Sequence, residues 1–271
     1  MKLAAFLLLP RLLTTEPPAG AVKLNPPRVQ MRNNEASATR SPWIDSNGWQ
    51  LMRSPDKQFY YKVTGDAATL AAAESFAYGS DALISTDAAG EKAFEKMMTF
   101  LRTIPEAKDL QPVADFGVVD DGSDQTGEVM NLLTRQNLLF KIEKAEDKKF
   151  SVNVRVGSKE YPAEEASNPG FVAHKVRAQI GDDHRSIRLY GSEVVVARYV
   201  AKGARGRVYL INYSNRPVRG LRVRVRGAYS KGEARLYNIA DGKLEDWVQE
   251  GGATEFSIPE LSAFAVIDLS R

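Results

Sequence analysis

The feature that most constrains this chain is a change of hydrophobic period near residue 180. Before it, apolar side chains recur every three to four residues, as in Phe94, Met97, Met98 and Leu101. After it, they alternate, as in Leu221, Val223 and Val225 interleaved with Arg222, Arg224 and Arg226. The first rhythm buries one face of a helix and the second one face of a strand. With 271 residues there is room for two ordinary domains. The expectation is therefore an α/β part followed by an all-β part.

Residues 58–143 read as β-α-β-α-β-α-β. Asp66 and Asp87 are expected to cap two helices, Gly79 to close the first, and Pro105 to stop the second. An apolar run at 113–119 then meets the acidic turn 120–124, a helix over 126–136 and a second apolar run at 138–142. Alternating strands and helices predict a mainly parallel, flavodoxin-like sheet covered on both faces. The run 150–156 is expected to be an outer strand of the same α/β domain, which spans 58–160. A helical connector is expected over 161–185. Short strands punctuated by Asn215-Arg216-Pro217, Asp241-Gly242 and Gly251-Gly252 predict an antiparallel β-sandwich over 186–271.

Upstream, residues 1–21 resemble a secretory signal peptide, with Lys2, a short leucine-rich core and Ala19-Gly20-Ala21 as a cleavage site. Residues 22–57 read as an extended lead-in. The leader-like segment predicts a periplasmic or secreted protein. No other run is long and apolar enough to span a bilayer.

Composition narrows the chemistry. A net charge of +3 does not by itself argue for nucleic acid. The absence of cysteine excludes disulfides, thiolate metal sites and a cysteine nucleophile. The serine-hydrolase elbow, the P-loop and the dinucleotide-binding glycine pattern are missing. No cofactor, metal or catalytic residue is expected.

Two stretches remain as candidate binding sites. The segment SPWIDSNGW holds Trp43 and Trp49 around Asp45. It reads as an aromatic platform for a sugar, with Asp45 accepting hydroxyl bonds, or as two indoles closing the end of a sheet. The acidic turn carries Asp120, Asp121 and Asp124, with Glu128 a turn further on. Ligands of parallel sheets collect beyond the carboxyl ends of the strands, where this turn sits. The carboxylates could hold a hard cation, although the spacing is not that of an EF-hand. They could also simply cap the helix and complement its dipole. Asp45, Asp120, Asp121 and Glu128 are the candidates for a glycosidase acid–base pair. Arg222, Arg224 and Arg226 form either a patch for an acidic glycan or a solvated sheet face that resists edge pairing.

The phrase FGVVDDGSDQTGEVMNLLTRQNLLFKIE resembles the class I glutamine-amidotransferase-like domain that serves as a trimerisation module in bacterial β-galactosidases. The tail, from GRVYLINYSNRPVRGLRVRVRG to ATEFSIPELSAFAVIDL, is similar to the small C-terminal β-sandwich of such glycoside hydrolases. The resemblance implies a non-catalytic chain. Active amidotransferases use a cysteine, and the hydrolases carry their chemistry on a large barrel for which there is no room. The expected function is thus a non-catalytic extracytoplasmic protein that binds carbohydrate or scaffolds a carbohydrate-processing assembly. The alternatives are a small glycoside hydrolase or lyase using paired carboxylates, or a homo-oligomerisation module.

Overall fold

The computed structural model describes residues 9–31, 42–107, 109–240 and 242–271. The start of the expected leader, residues 1–8, and positions 32–41 of the expected lead-in lie outside the described residues. In chain order the first elements are β1 (Arg11–Leu12), β2 (Val22–Leu24), β3 (Arg28–Met31), β4 (Pro42–Asp45) and α1 (Gly48–Arg53). There follow β5 (Phe59–Lys62), α2 (Ala67–Tyr78), β6 (Ala82–Ser85), α3 (Ala88–Leu101) and β7 (Gln111–Pro112). Next come β8 (Phe116–Val119), α4 (Asp124–Arg135), β9 (Phe140–Glu143), β10 (Asn153–Val154), α5 (Ala163–Ala166) and α6 (Pro169–Ile180). The last part holds β11 (Ile187–Tyr190), β12 (Val195–Lys202), β13 (Arg205–Asn212) and β14 (Val218–Arg226). It ends with β15 (Lys231–Leu236), β16 (Glu245–Glu250), β17 (Ala253–Leu261) and β18 (Phe264–Ser270).

The strands expected in one sheet form two. One is parallel in the order β1-β6-β5-β2 and the other in the order β10-β8-β9. Helix α1 bridges them, burying Leu51 in the core of the first and packing Trp49 and Met52 against that of the second. The residues expected to be an extended lead-in thus supply a sheet strand, an antiparallel strand pair and a helix. Val22 and Leu24 pair with β5 as an edge strand. Arg11 and Leu12, inside the leader-like segment, pair in parallel with Leu83 and Ile84. The run expected as one strand over 113–119 is shorter: only β8 enters the parallel sheet, while Val113 N, just after β7, donates to Tyr199 O of β12 at 3.0 Å.

The helix ends follow local chemistry with two differences from expectation. Asp87 accepts from Gly90 N at 2.8 Å and caps α3, and Gly79 closes α2 at φ 63°. Asp66, however, makes no capping bond. On α4 the cap is Ser123, whose Oγ accepts from Thr126 N at 3.1 Å. Asp124 is the first helical residue instead.

Beyond α6 the strands form two antiparallel sheets, in the orders β11-β14-β17-β16 and β15-β18-β13-β12-β7. One core cluster draws Val223, Val225, Phe256 and Ile258 from the first and Val208, Leu210, Ala265 and Ile267 from the second. The alternation on β14 is as expected: Leu221, Val223 and Val225 are fully buried.

Strand β13 is buried on both faces because helix α2 covers its other side. Tyr209, Ile211 and Phe264 belong to the same core as Phe76. The Phe76 ring meets those of Tyr209 and Phe264 edge-on at 6.1 and 6.2 Å. Ala68, Ala71, Ala72, Ala73 and Ala77 are all buried, so α2 is inserted between the parallel sheet and the antiparallel one. A helix with apolar residues all round is one that is covered all round. The α/β and all-β parts therefore share a core.

Candidate functional site

The acidic turn closes on itself. Asp120 receives a two-pronged bond from Arg53 of α1, at 2.9 Å from Nε and 2.7 Å from Nη2, and a third from Gly122 N at 3.0 Å. Arg53 also donates to Ser123 O at 3.0 Å. Asp121 accepts from Ser123 N at 3.0 Å and from its Oγ at 2.7 Å. Both carboxyls are held below the usual carboxylate range, Asp120 chiefly by the Arg53 bonds and Asp121 chiefly by the Ser123 hydroxyl. Asp124 and Glu128 lie exposed on α4. Among the described residues no group of three or more His, Cys, Asp or Glu is arranged to hold a metal ion.

The Arg53–Asp120 pair is mostly buried on both sides, so its bonds are stronger than those of a surface pair. Asp120→Asn should lower stability by about 1–3 kcal/mol at neutral pH. Because Asp120 titrates lower in the fold than in the unfolded chain, its contribution is present above the unfolded pKa of about 3.9. It is lost as pH falls through the folded value. Thermal melts of the two proteins should differ at pH 7 and 5 and converge in strong acid.

The two tryptophans do not meet. Trp49 lies against Gly127 in the first half of α4, where an added Cβ would sit 2.9 Å from its ring. Arg53 stands 5.9 Å from the same ring. Trp43 lies under Arg135, the last residue of α4, whose guanidinium is 3.5 Å from the ring centre. Eight residues of helix, about 12 Å, separate the two contacts. Asp45 accepts from Arg28 Nε at 3.0 Å and Gln30 Nε2 at 2.5 Å across the β3–β4 pair. Trp49 and the acidic turn are thus joined through Arg53, while Trp43 and Asp45 belong to other neighbourhoods.

A polar centre that sequence reasoning missed is Glu74 of α2, which is completely buried. Its Oε1 accepts from Asn47 N at 2.7 Å, Tyr213 OH at 2.6 Å and Ser46 Oγ at 3.1 Å. Its Oε2 accepts from Asn47 Nδ2 and Tyr61 OH, both at 2.9 Å. Burial first, then the charge of Glu74, pushes both tyrosine hydroxyls well above their ordinary range, so they stay protonated and donate. With no exposed surface, Glu74 cannot touch a substrate. It fastens the start of α1, β5 and the end of β13 to one helix. The signal was a lone carboxylate within the alanine-rich run AAAESFAY.

Above this centre the parts enclose a groove of about 1020 Å³. Its walls include Arg28 and Val29 of β3, Leu70 of α2, Lys96 of α3 and the loop residues Asn215 and Asn238. Lys96 Nζ stands 5.9 Å from the Tyr237 ring on its floor. The lining mixes apolar residues such as Leu70 and Val194 with the charged Asp66, Lys96 and Arg216 and the polar Asn215 and Asn238. Arg28, which holds Asp45, is the link between this groove and the sequence candidates.

The histidines and the arginine strand stand apart from both places. His174 and His184 are both exposed. Arg222 and Arg224 pair with Glu255 at 2.9 and 3.4 Å, and Arg226 donates to His184 O at 3.2 Å. No helix among the described residues is long and apolar enough to cross a membrane.

No protein-family model and no curated protein sequence matches this chain. Among solved structures, the α-L-fucosidase isoenzyme 2 from Paenibacillus thiaminolyticus aligns at a TM-score of 0.60 and 8% identity. The alignment covers 82% of this chain and 62% of the fucosidase chain, so this chain spans less than two thirds of that protein. An exo-carrageenase from Bacteroides ovatus aligns at a TM-score of 0.41 and 9% identity, over 84% of this chain and 44% of the other. A β-galactosidase from Rahnella sp. R3 aligns at a TM-score of 0.41 and 7% identity, over 93% and 55%. The last two overlaps are too loose to transfer anything. The first establishes a shared fold with part of a glycoside hydrolase.

Proposed function

We propose that this chain is a non-catalytic module that binds carbohydrate, or holds it for a carbohydrate-processing assembly. The observation that carries this reading is the groove of about 1020 Å³, walled by both the α/β and the all-β parts. Its size suits an oligosaccharide, and Asn215, Asn238 and Lys96 offer donors and acceptors to sugar hydroxyls. The shared fold with part of a fucosidase supports the reading at the level of architecture.

The non-catalytic half rests on the carboxylates. Asp45, Asp120 and Asp121 are engaged by Arg28, Arg53 and Ser123 respectively. A glycosidase needs one carboxyl to release a proton and another to attack or activate water. We read the layout as a flavodoxin-like α/β half of the amidotransferase-like kind, divided into two parallel sheets, followed by a β-sandwich.

We place the protein outside the cytoplasm on the leader-like residues 1–21. Cleavage after Ala21 would remove β1 from its sheet, and N-terminal sequencing of the exported protein settles where any cut falls.

Affinity electrophoresis through gels cast with single polysaccharides tests the binding. Retarded migration in at least one gel, relieved by Lys96→Ala and Asn215→Ala, is expected. Unretarded migration in every gel would overturn the reading.

A further inference from the structure

A second cleft, of about 470 Å³, lies where α4, α6 and β11 converge. Arg135, Arg177, Arg185 and Arg188 line it, together with Gln136 and Tyr190. The charge of Arg177, Arg185 and Arg188 is poorly balanced from within. Asp182 is shared by three guanidinium groups: it accepts from Arg177 at 2.8 and 2.7 Å and from Arg185 at 3.3 Å, and lies 3.7 Å from Arg188. Asp183 is 3.5 Å from Arg188, but its side chain is 90% exposed and well solvated. Glu193 is the only carboxylate among the described residues lining the cleft.

Two further facts show cationic capacity left over. Arg185 is only 7% exposed, and its Nε is buried without a hydrogen bond. Its other nitrogens are fixed on Asp182 and on the carbonyls of Gln136 and Asn137, so the head group is held in place. Arg188 stands directly across from Arg224 in the β11–β14 register. Like charges placed opposite each other disfavour a sheet. Arg224 also has a buried Nη1 with no bond, and its ion-pair partner Glu255 is shared with Arg222.

Guanidinium forks match the paired oxygens of carboxylates and sulfates. Beside them, Tyr190 is 37% exposed, with Arg188 5.0 Å from its ring centre. An amphipathic ring of this kind offers a flat face to a sugar.

We propose that this cleft binds an oxyanion-bearing sugar, one with a carboxylate or a sulfate ester. The oxyanion part stands on the arginines alone; the sugar part rests on the carbohydrate reading of the chain. The linings of the cleft and the groove share only Pro42, and Asn215 belongs to the groove alone, so Asn215→Ala should weaken binding in the groove and leave binding here unchanged.

Calorimetric titration of the full chain with glucuronate, glucose 6-sulfate, glucose and inorganic sulfate tests the proposal. One or both charged sugars should bind at least ten-fold more tightly than glucose and than inorganic sulfate. Whichever binds names the oxyanion. Arg188→Gln should weaken that binding at least ten-fold in a protein that still folds, because relief of the Arg188–Arg224 opposition offsets the loss of the long pairs to Asp182 and Asp183. Should that variant fail to fold, Arg177→Gln, on a 53% exposed side chain, serves the same purpose. Equal binding of charged and neutral sugars, no binding of any probe, or undiminished binding in a folded variant would overturn it. Sulfate ion binding as tightly as either charged sugar would overturn the saccharide assignment.

Discussion

Glu74→Ala should destabilise the protein by about 4 kcal/mol or more. The substitution removes the acceptor of five hydrogen bonds, from Ser46, Asn47 twice, Tyr61 and Tyr213. Ser46 Oγ and Tyr213 OH, 3.0 Å apart, can still bond to each other. Asn47 Nδ2 keeps its bond to Asn25 O at 2.9 Å, while Asn47 N and Tyr61 OH lose their acceptor in a buried place, at about 1–3 kcal/mol for each unsatisfied group, besides the cavity the smaller side chain leaves. At about 2–4 °C per kcal/mol, the melting temperature should fall by roughly 8–16 °C. Glu74→Gln keeps one acceptor oxygen but turns an amide donor toward other donors, so it should rescue only part of the loss. Urea denaturation read by circular dichroism checks both variants. A change below about 1 kcal/mol for Glu74→Ala would mean that this centre does not join the elements around it.

Asn137→Ala should be the second large effect, about 2–4 kcal/mol. Asn137 ends the turn after α4 with φ 55° and is 9% exposed. Its side-chain amide docks on the next part of the chain: Nδ2 donates to Val195 O at 3.1 Å, and Oδ1 accepts from Ala197 N at 2.6 Å. The side chain thus completes the hydrogen bonding of β12 as a strand backbone would. Alanine leaves both buried backbone groups unpaired and adds strain at positive φ. Asn137→Gly relieves the strain but not the pairing. If the account holds, glycine recovers at most about 1 kcal/mol of the alanine loss. Hydrogen exchange at Ala197 provides the local readout: its amide should lose protection in both variants.

How much of the fold is legible in the sequence depends on the range of the interaction concerned. The alternation on β14 and the spacing of Phe94, Met97, Met98 and Leu101 on α3 are local patterns, and all of those apolar residues are buried as expected. Asp87 and Gly79 likewise act within one turn of their own positions. The division of the parallel strands into two sheets was not legible, because it goes with α1 placing Leu51 in one core and Trp49 and Met52 against the other. That helix fell in a stretch without a long apolar period. Strand β1 and strand β2 were missed for a related reason: two- and three-residue strands gain their stability from partners far along the chain.

The candidate site divides in the same way. Trp43 and Trp49 are six residues apart in sequence, yet a strand end and a helix start lie between them. The chain turns there, and the rings reach opposite halves of α4. The acidic turn was legible as a helix entrance, but not as a partner of Arg53, which is 67 residues upstream of Asp120. The arginine cleft draws on α4, α6 and β11, and none of these showed it; only the neighbouring strand β14 carried a legible pattern, its alternating charge.

The central claim is that the chain holds saccharide without transforming it. Saturation-transfer NMR on a mixed panel of oligosaccharides, with the protein incubated overnight, reads both halves at once. The account predicts transfer to the protons of at least one saccharide and an unchanged set of anomeric signals. Absence of transfer to every saccharide, or the growth of new reducing-end signals that Asp45→Asn, Asp120→Asn or Asp121→Asn abolishes in a folded protein, would contradict it.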